Sequence, residues 1–213
     1  MFNQMNLLTD YVRIFPNTIP DEICDYLISV YDSNESDAYR YSSEYMDQGS
    51  QPKKMSYTAL CDDESAKAIH NNIGICMERR IHEYLQALNY KVDCFPPSRM
   101  RGFEELLLKK YNQGVDTYIL HGDTSQACDG NRVLSAVLYL NNVEEGGETI
   151  FPDLNLTIKP EKGALALFPS SWMFPHSANV PISSSKYILV SFIRYTALCN
   201  NPNLCLNPAH EHN

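Results

Sequence analysis

No stretch of the 213-residue chain approaches the ~20 consecutive apolar residues that a bilayer-crossing helix needs, so no membrane span is expected. The opening residues, MFNQMNLLTDYVRIFP, lack a basic segment followed by an apolar one, and no signal peptide is expected. Basic residues are few: 17 Lys and Arg stand against 26 Asp and Glu, giving a net charge of −9. That balance speaks against a nucleic-acid binder, which needs a basic face, though a local basic patch stays open. Internal repeats and low-complexity tracts are also missing. The seven cysteines (Cys24, Cys61, Cys76, Cys94, Cys128, Cys199 and Cys205) are scattered and odd in number, which argues against a disulfide framework. Free thiols fit a reducing compartment, so a cytoplasmic location is expected.

What is present suits one domain with a real core: 44% of residues are hydrophobic. The segment NTIPDEICDYLISVYDS reads as a helix starting at Thr18 or Pro20, with Ile23, Tyr26, Leu27, Val30 and Tyr31 on one face. Residues 32–56 are polar and rich in tyrosine without a clear period, and read as a long loop or irregular hairpins, with the 39–57 stretch a candidate lid. A longer helix follows in DESAKAIHNNIGICMERRIHEYLQALNY, striped by Ile69, Ile73, Cys76 or Met77, Ile81, Tyr84 and Leu88. From about residue 103 the period shortens. FEELLLKKY, TYILHGD, RVLSAVLYLNN, ETIF, LTIKP, GALALF and KYILVSFIRYT read as strands separated by turn residues. Helices followed by closely spaced strands predict an α+β, mainly β architecture.

Within TYILHGD, His121 and Asp123 stand two apart, a spacing that puts both on one face of a strand. Alone, the pair is as consistent with an ion pair as with a metal site. Far downstream lies His176. Two imidazoles and one carboxylate on one face of an octahedron are the donor set of non-haem Fe(II) oxygenases, and they leave three positions open. Lys186 follows His176 by ten residues and opens the last strong strand. Facing a barrel interior, its ammonium would meet a carboxylate at low dielectric. Gly146-Gly147 allows a tight turn between the halves, and Thr149 brings a hydroxyl from the next strand.

The stretches KYNQGVDTYILHGD, RVLSAVLYLNNVEEGGETIF, GALALF and HSANVPISSSKYILVSFIRY, in that order, resemble the prolyl 4-hydroxylase-type 2-oxoglutarate/Fe(II) dioxygenases over about residues 103–196. The resemblance implies a double-stranded β-helix (jelly-roll, cupin-like) core at 103–196. A helical N-terminal support region (1–100) and a tail (197–213) complete a single catalytic domain (1–213). It implies His121, Asp123 and His176 as iron ligands, and Lys186 as the partner of the distal carboxylate of 2-oxoglutarate. Tyr111 and Thr149 match hydroxyl groups holding that carboxylate, and Tyr118 and Arg132 match positions lining a peptide groove. The implied activity is hydroxylation of a prolyl residue in a peptide or protein, with release of succinate and CO2. Fe(II), 2-oxoglutarate and O2 are the implied cofactor and cosubstrates, with ascorbate a candidate accessory. Because Asp123 is present, hydroxylation is favoured over halogenation, in which chloride replaces the carboxylate.

Three features depart from the family pattern. The Tyr111–His121 interval is one residue longer, the loop from Asp123 to Arg132 is short, and Phe192 stands where tryptophan is common. Other substrates therefore stay open: another side chain, a free amino acid or a small metabolite. From a different class, the barrel could be a non-catalytic ligand-sensing module. His70 and His82 read as helix-surface residues and Arg194 as structural. Cys199, Cys205, His210 and His212 form a weak zinc-like set in the tail.

Overall fold

The computed structural model describes residues 7–39, 51–88, 100–124 and 131–195, without the side chains of 100–102 and 195. The 40–50 part of the candidate lid and the tail's Cys/His set lie outside the described residues. Among those described, no helix is long and apolar enough to cross a membrane.

Helix α1 (Asp21–Ser33) begins directly after Pro20, whose extended backbone starts the helix without a side-chain cap. Asp21 and Glu22 in its first turn complement the positive end of the helix dipole. Cys24, Leu27 and Tyr31 form its buried stripe, with Ile23, Tyr26 and Val30 at the margins. Helix α2 (Glu64–Ala87) is capped by Asp63, whose carboxylate accepts from the Ala66 N–H at 2.7 Å. It buries Ala66, Ile73, Met77, Tyr84 and Leu85.

The described strands are β1 (Arg13–Phe15), β2 (Lys53–Ser56), β3 (Met100–Phe103), β4 (Leu107–Tyr111), β5 (Tyr118–His121), β6 (Arg132–Tyr139), β7 (Thr149–Phe151), β8 (Leu156–Ile158), β9 (Leu165–Pro169), β10 (His176–Ala178) and β11 (Lys186–Tyr195). The larger sheet runs β1-β9-β6-β11-β4-β2, with β3 also paired to β11, and the smaller runs β5-β10-β7-β8. Every pairing is antiparallel. Two facing antiparallel sheets with helices on one side make the jelly-roll core that was expected.

Alternation along the central strands divides the molecule into two cores. On β6, Leu134, Ala136 and Leu138 face the helices, while Val137 and Tyr139 face the smaller sheet. On β9, Leu165 and Leu167 face the helices and Ala166 and Phe168 face inward. On β11, Leu189 and Ile193 point to the helices, and Ile188, Val190 and Phe192 to the interior. Strands apolar on both faces are what a sheet covered on both sides requires. Each fully buried Leu or Phe contributes about 1.5–3 kcal/mol relative to exposure.

The seven expected strands are found, and four more occur. β10 is only three residues long and has a proline just before it. β1 and β2 are short edge strands. β2 carries Lys53 and Lys54, the charge that edge strands use against unwanted pairing, and this made it read as loop. Within the expected 32–56 loop, the described ends thus contain a 3-10 turn (Glu35–Asp37) and β2.

Candidate active site

β5 and β10 are paired in the smaller sheet, and their register sets His176 directly opposite His121. The two rings lie 4.4 Å apart between centroids. The chain leaves β5 at His121, so Asp123 reaches the same point from a bend rather than from strand alternation. Gly122 fits beneath the Trp172 backbone there: a Cβ would lie 3.8 Å from the Trp172 Cα. The Thr124 N–H donates to the Ser170 carbonyl, tying the bend to the sheet.

The ligand-type atoms of His121, Asp123 and His176 all lie within 4.8 Å of one another, close enough to converge on one ion. His121 Nε2 is 3.5 Å from Asp123 Oδ1, and His176 Nε2 is 3.7 Å from Asp123 Oδ2. His121 Nδ1 sits 2.9 Å from the Ile119 carbonyl, and His176 Nδ1 is 3.2 Å from that of Phe174. A carbonyl only accepts, so each Nδ1 carries the proton and each Nε2 turns a lone pair to the shared centre. Phe151 and Phe168 wall His176, at 5.4 and 4.8 Å between centroids. Burial pushes the His176 imidazolium down to about 4, which leaves the ring neutral at pH 7. Burial would raise Asp123, but its contacts with His121, His176 and the Ser135 hydroxyl outweigh it. Its carboxyl is held well below the usual carboxylate range. Ser135 Oγ donates to Asp123 Oδ2 and is itself within 2.8 Å of Ser170 Oγ.

Along the inner face of β11 and β4, Lys186 is paired directly with Tyr111. Lys186 is 1% exposed. Its ammonium donates to the Gly147 carbonyl at 2.8 Å and lies 3.9 Å from the centre of the Tyr111 ring. Among the described residues no carboxylate forms an ion pair with it. Burial and the nearby Lys109 push its pKa down to about 7, while Glu148 pulls the other way. A buried ammonium without a carboxylate is costly unless an anion completes it. Thr149 Oγ1 lies 2.8 Å from the Tyr139 hydroxyl in the same buried region. Tyr139 was not singled out in the sequence, because its hydroxyl is invisible within an apolar strand. One cleft joins the two groups; Tyr111, Thr149, Lys186, His121 and His176 all line it. Two imidazoles and a carboxylate at one end, with an unneutralised ammonium along the wall, fit Fe(II) and a dianionic keto acid.

The turn that positions Lys186 depends on glycine. Gly146 and Gly147 both have positive φ, at 76° and 75°. A Cβ on Gly146 would come within 2.3 Å of the Val180 carbonyl oxygen.

Tyr118 also lines the cleft, its ring centroid 4.4 Å from that of His121. Arg132 holds the end of the site together. Its Nε and Nη2 donate to the Glu104 carboxylate at 2.8 and 2.7 Å, its Nη1 donates to the Asp123 carbonyl at 2.9 Å, and the guanidinium sits 3.6 Å from the centre of the Phe192 ring. Phe192, without an indole N–H, thus supports Arg132 through its face. Arg194 lies 3.6 Å from the same Glu104. Lys109, which the sequence reading passed over, lines the cleft beside these residues. His70 and His82 stay outside it: His70 stacks on Tyr57, and His82 lies 2.8 Å from Gln86.

Residues 106–194 match the model of the 2OG-Fe(II) oxygenase superfamily. A protein of Acanthamoeba polyphaga mimivirus that carries the prolyl 4-hydroxylase name is 36% identical over 89 residues, 36% of this chain and 36% of its own length. A similarly named protein of Arabidopsis thaliana is 25% identical over 153 residues, 67% of this chain and 46% of its own. The chain thus spans less than half the length of these two relatives. The viral collagen prolyl hydroxylase of Paramecium bursaria Chlorella virus-1, solved as a 2OG complex, superposes with a TM-score of 0.61 at 21% identity, over 87% of this chain and 96% of that one. A Pseudomonas putida prolyl-4-hydroxylase gives 0.62 at 20% identity, over 87% and 93%. A Trichoplax adhaerens prolyl hydroxylase in complex with a hypoxia inducible factor peptide gives 0.66 at 17%, over 88% and 84%. At these identities the structural likeness establishes the fold. Fold and sequence match point the same way: a jelly-roll core whose residues 106–194 are similar to the 2OG-Fe(II) oxygenase superfamily. The named relatives to which the chain is similar carry the prolyl 4-hydroxylase name.

Proposed function

We propose that the protein is a 2-oxoglutarate- and Fe(II)-dependent dioxygenase that hydroxylates a prolyl residue in a peptide or protein. The observation that carries this reading is the convergence of His121, Asp123 and His176 within 4.8 Å, with both imidazoles lining one cleft with the buried Lys186 ammonium. Nε2 of His121 and His176 and the Asp123 carboxylate would hold Fe(II). Lys186 would hold the distal carboxylate of 2-oxoglutarate, with Thr149 and Tyr111 beside it. When bound, the metal and its cosubstrates supply an oxidation that converts 2-oxoglutarate and O2 to succinate and CO2 and places one oxygen atom on the substrate. The chain's own part is to orient and exclude. Ile119 and Phe174 carbonyls fix the imidazoles, and Ser135 and Arg132 fix Asp123 from its side chain and its backbone. Phe151 and Phe168 keep water from the His176 side. Tyr118 at the cleft wall is the candidate substrate contact. Arg132, placed among the groove residues by the resemblance, has in addition the bracing position described above.

The names of the relatives support a peptide or protein as substrate. The division into one catalytic domain with helical support is likewise proposed, carried by the helices packing on the outer face of the larger sheet. The test is succinate release from 2-oxoglutarate by the Fe(II)-loaded protein in air, with and without a proline-rich peptide, followed by peptide mass. Peptide-stimulated turnover with one added oxygen on proline is expected. Succinate without stimulation would move the substrate to another side chain or small molecule. No succinate with iron bound would overturn the enzyme reading in favour of a sensing module.

A further inference from the structure

Lys109 and Lys110 are neighbours on β4 with opposite surroundings. Lys110 turns to the helix side, where its ammonium meets Asp32 at 3.1 Å and Glu35 at 3.2 Å. Lys109 turns inward and lines the cleft with Tyr111, Tyr118, His121 and Lys186. Its ammonium lies 5.0 Å from the centre of the Tyr118 ring, which in turn stacks on His121. Among the described residues, no carboxylate forms an ion pair with Lys109.

The placement is costly in three ways. Burial opposes its charge and presses it down to about 8, with only Asp123 acting the other way. Its register partner on β2 is Lys54, and like charges directly opposite one another destabilise a sheet. It also lowers Lys186 in the same cleft. Neighbouring inward positions show what packing alone calls for: Val137, Ile188 and Val190. A charge kept against local cost, with no ion-paired carboxylate among the described residues, marks a functional position.

We infer that Lys109 is a second anion contact in this cleft, its ammonium taking a carboxylate at the His121 end, one inward position along β4 from the Tyr111–Lys186 pair. The inference rests on the proposed function. The carboxylate has two possible sources, the 2-oxoglutarate end nearer the metal or an acidic group of the substrate.

The test compares wild type with Lys109→Met, which keeps length without charge, and Lys109→Arg, which keeps charge. Thermal unfolding establishes that each variant folds. Two readouts follow: the calorimetric Kd for 2-oxoglutarate on the anaerobic Fe(II) protein, and the stimulation of succinate release by acidic over neutral proline-containing peptides and small acids. Loss of a hydrogen bond to a charged group corresponds to roughly tenfold or more. A Kd raised about that much in Lys109→Met and spared in Lys109→Arg supports the inference with the cosubstrate as source. An unchanged Kd with loss of the wild-type preference for acidic substrates supports it with the substrate as source. A folded Lys109→Met with wild-type Kd and wild-type substrate ratio overturns it. Failure of the iron-loaded wild type to bind 2-oxoglutarate would overturn the function reading itself, and the Lys109 role with it.

Discussion

Asp123 carries more of the site than its one carboxylate suggests. It faces both imidazoles, accepts from Ser135, and is held at its carbonyl by Arg132. Partners of this outer kind orient ligands, and their loss typically costs 10–100-fold in metal affinity. Ser135→Ala is therefore expected to weaken Fe(II) or Co(II) binding by about that factor while leaving the fold intact, as read by competition titration. Arg132→Met removes two bonds to Glu104 and one to Asp123, and leaves a half-buried carboxylate without its fork. An expected loss of about 1–3 kcal/mol in urea unfolding follows, together with weaker metal binding. The charge-bearing residues were legible in the sequence because their spacing is specific: His121, Asp123, His176 and Lys186 were each singled out, and the structure brings Asp123 against the two imidazoles, which share one cleft with Lys186. Ser135, Tyr139 and Lys109 were not. Each sits in an apolar strand, and only the register shows which face it takes.

Elements show the same division. Long apolar runs such as RVLSAVLYL and KYILVSFIRY declared their strands, because burial on both faces needs continuous hydrophobicity. β1, β2 and β10 were missed because three or four residues hold too little pattern to read. β10 matters most, since it carries His176 into register with His121. The glycine pair was legible as a turn, but its hold on Lys186 was not. Gly147 offers its carbonyl to the Lys186 ammonium, and Gly146 lies against the Val180 carbonyl with no room for a side chain. Gly146→Ala is expected to strain this turn and displace Lys186. A lower melting temperature together with a raised Kd for 2-oxoglutarate would show it. A fall in stability alone would mean that the turn does not set the lysine's position.

At the scale of the molecule, the helices and the larger sheet share one hydrophobic core. The outer face of the larger sheet shows Leu134, Ala136, Leu138, Leu165, Leu167 and Leu189 to α1 and α2. A fragment of residues 103–195 would expose that face and is expected to be insoluble or to lack a cooperative melt, which circular dichroism checks. The buried cations give the molecule a further signature in pH. The folded-state pKa of Lys186, about 7, lies below its ordinary 10.5. The unfolded chain therefore binds more protons above pH 7, and the metal-free protein should gain stability as pH rises from about 7 to 9. Under the role proposed for Lys186, binding of 2-oxoglutarate should weaken over the same range. Lys186→Met should remove the binding trend and leave of the stability trend only the part that Lys109, pressed down to about 8, contributes. On the acid side, His176 falls to about 4 and Asp123 below the usual carboxylate range, so the folded state resists both protonations. Stability should drop as pH falls from about 6.5 toward 4 and below.

The most direct measurement is an anaerobic titration of the Fe(II)-loaded protein with 2-oxoglutarate, following visible charge-transfer absorption, in wild type and Lys186→Met. An absorption that grows to saturation at one equivalent in wild type, and needs roughly tenfold or more 2-oxoglutarate in the variant, is the expected result. Iron bound at His121, Asp123 and His176 with no absorption change in wild type, or an identical titration in the variant, would contradict the assignment of this cleft to 2-oxoglutarate.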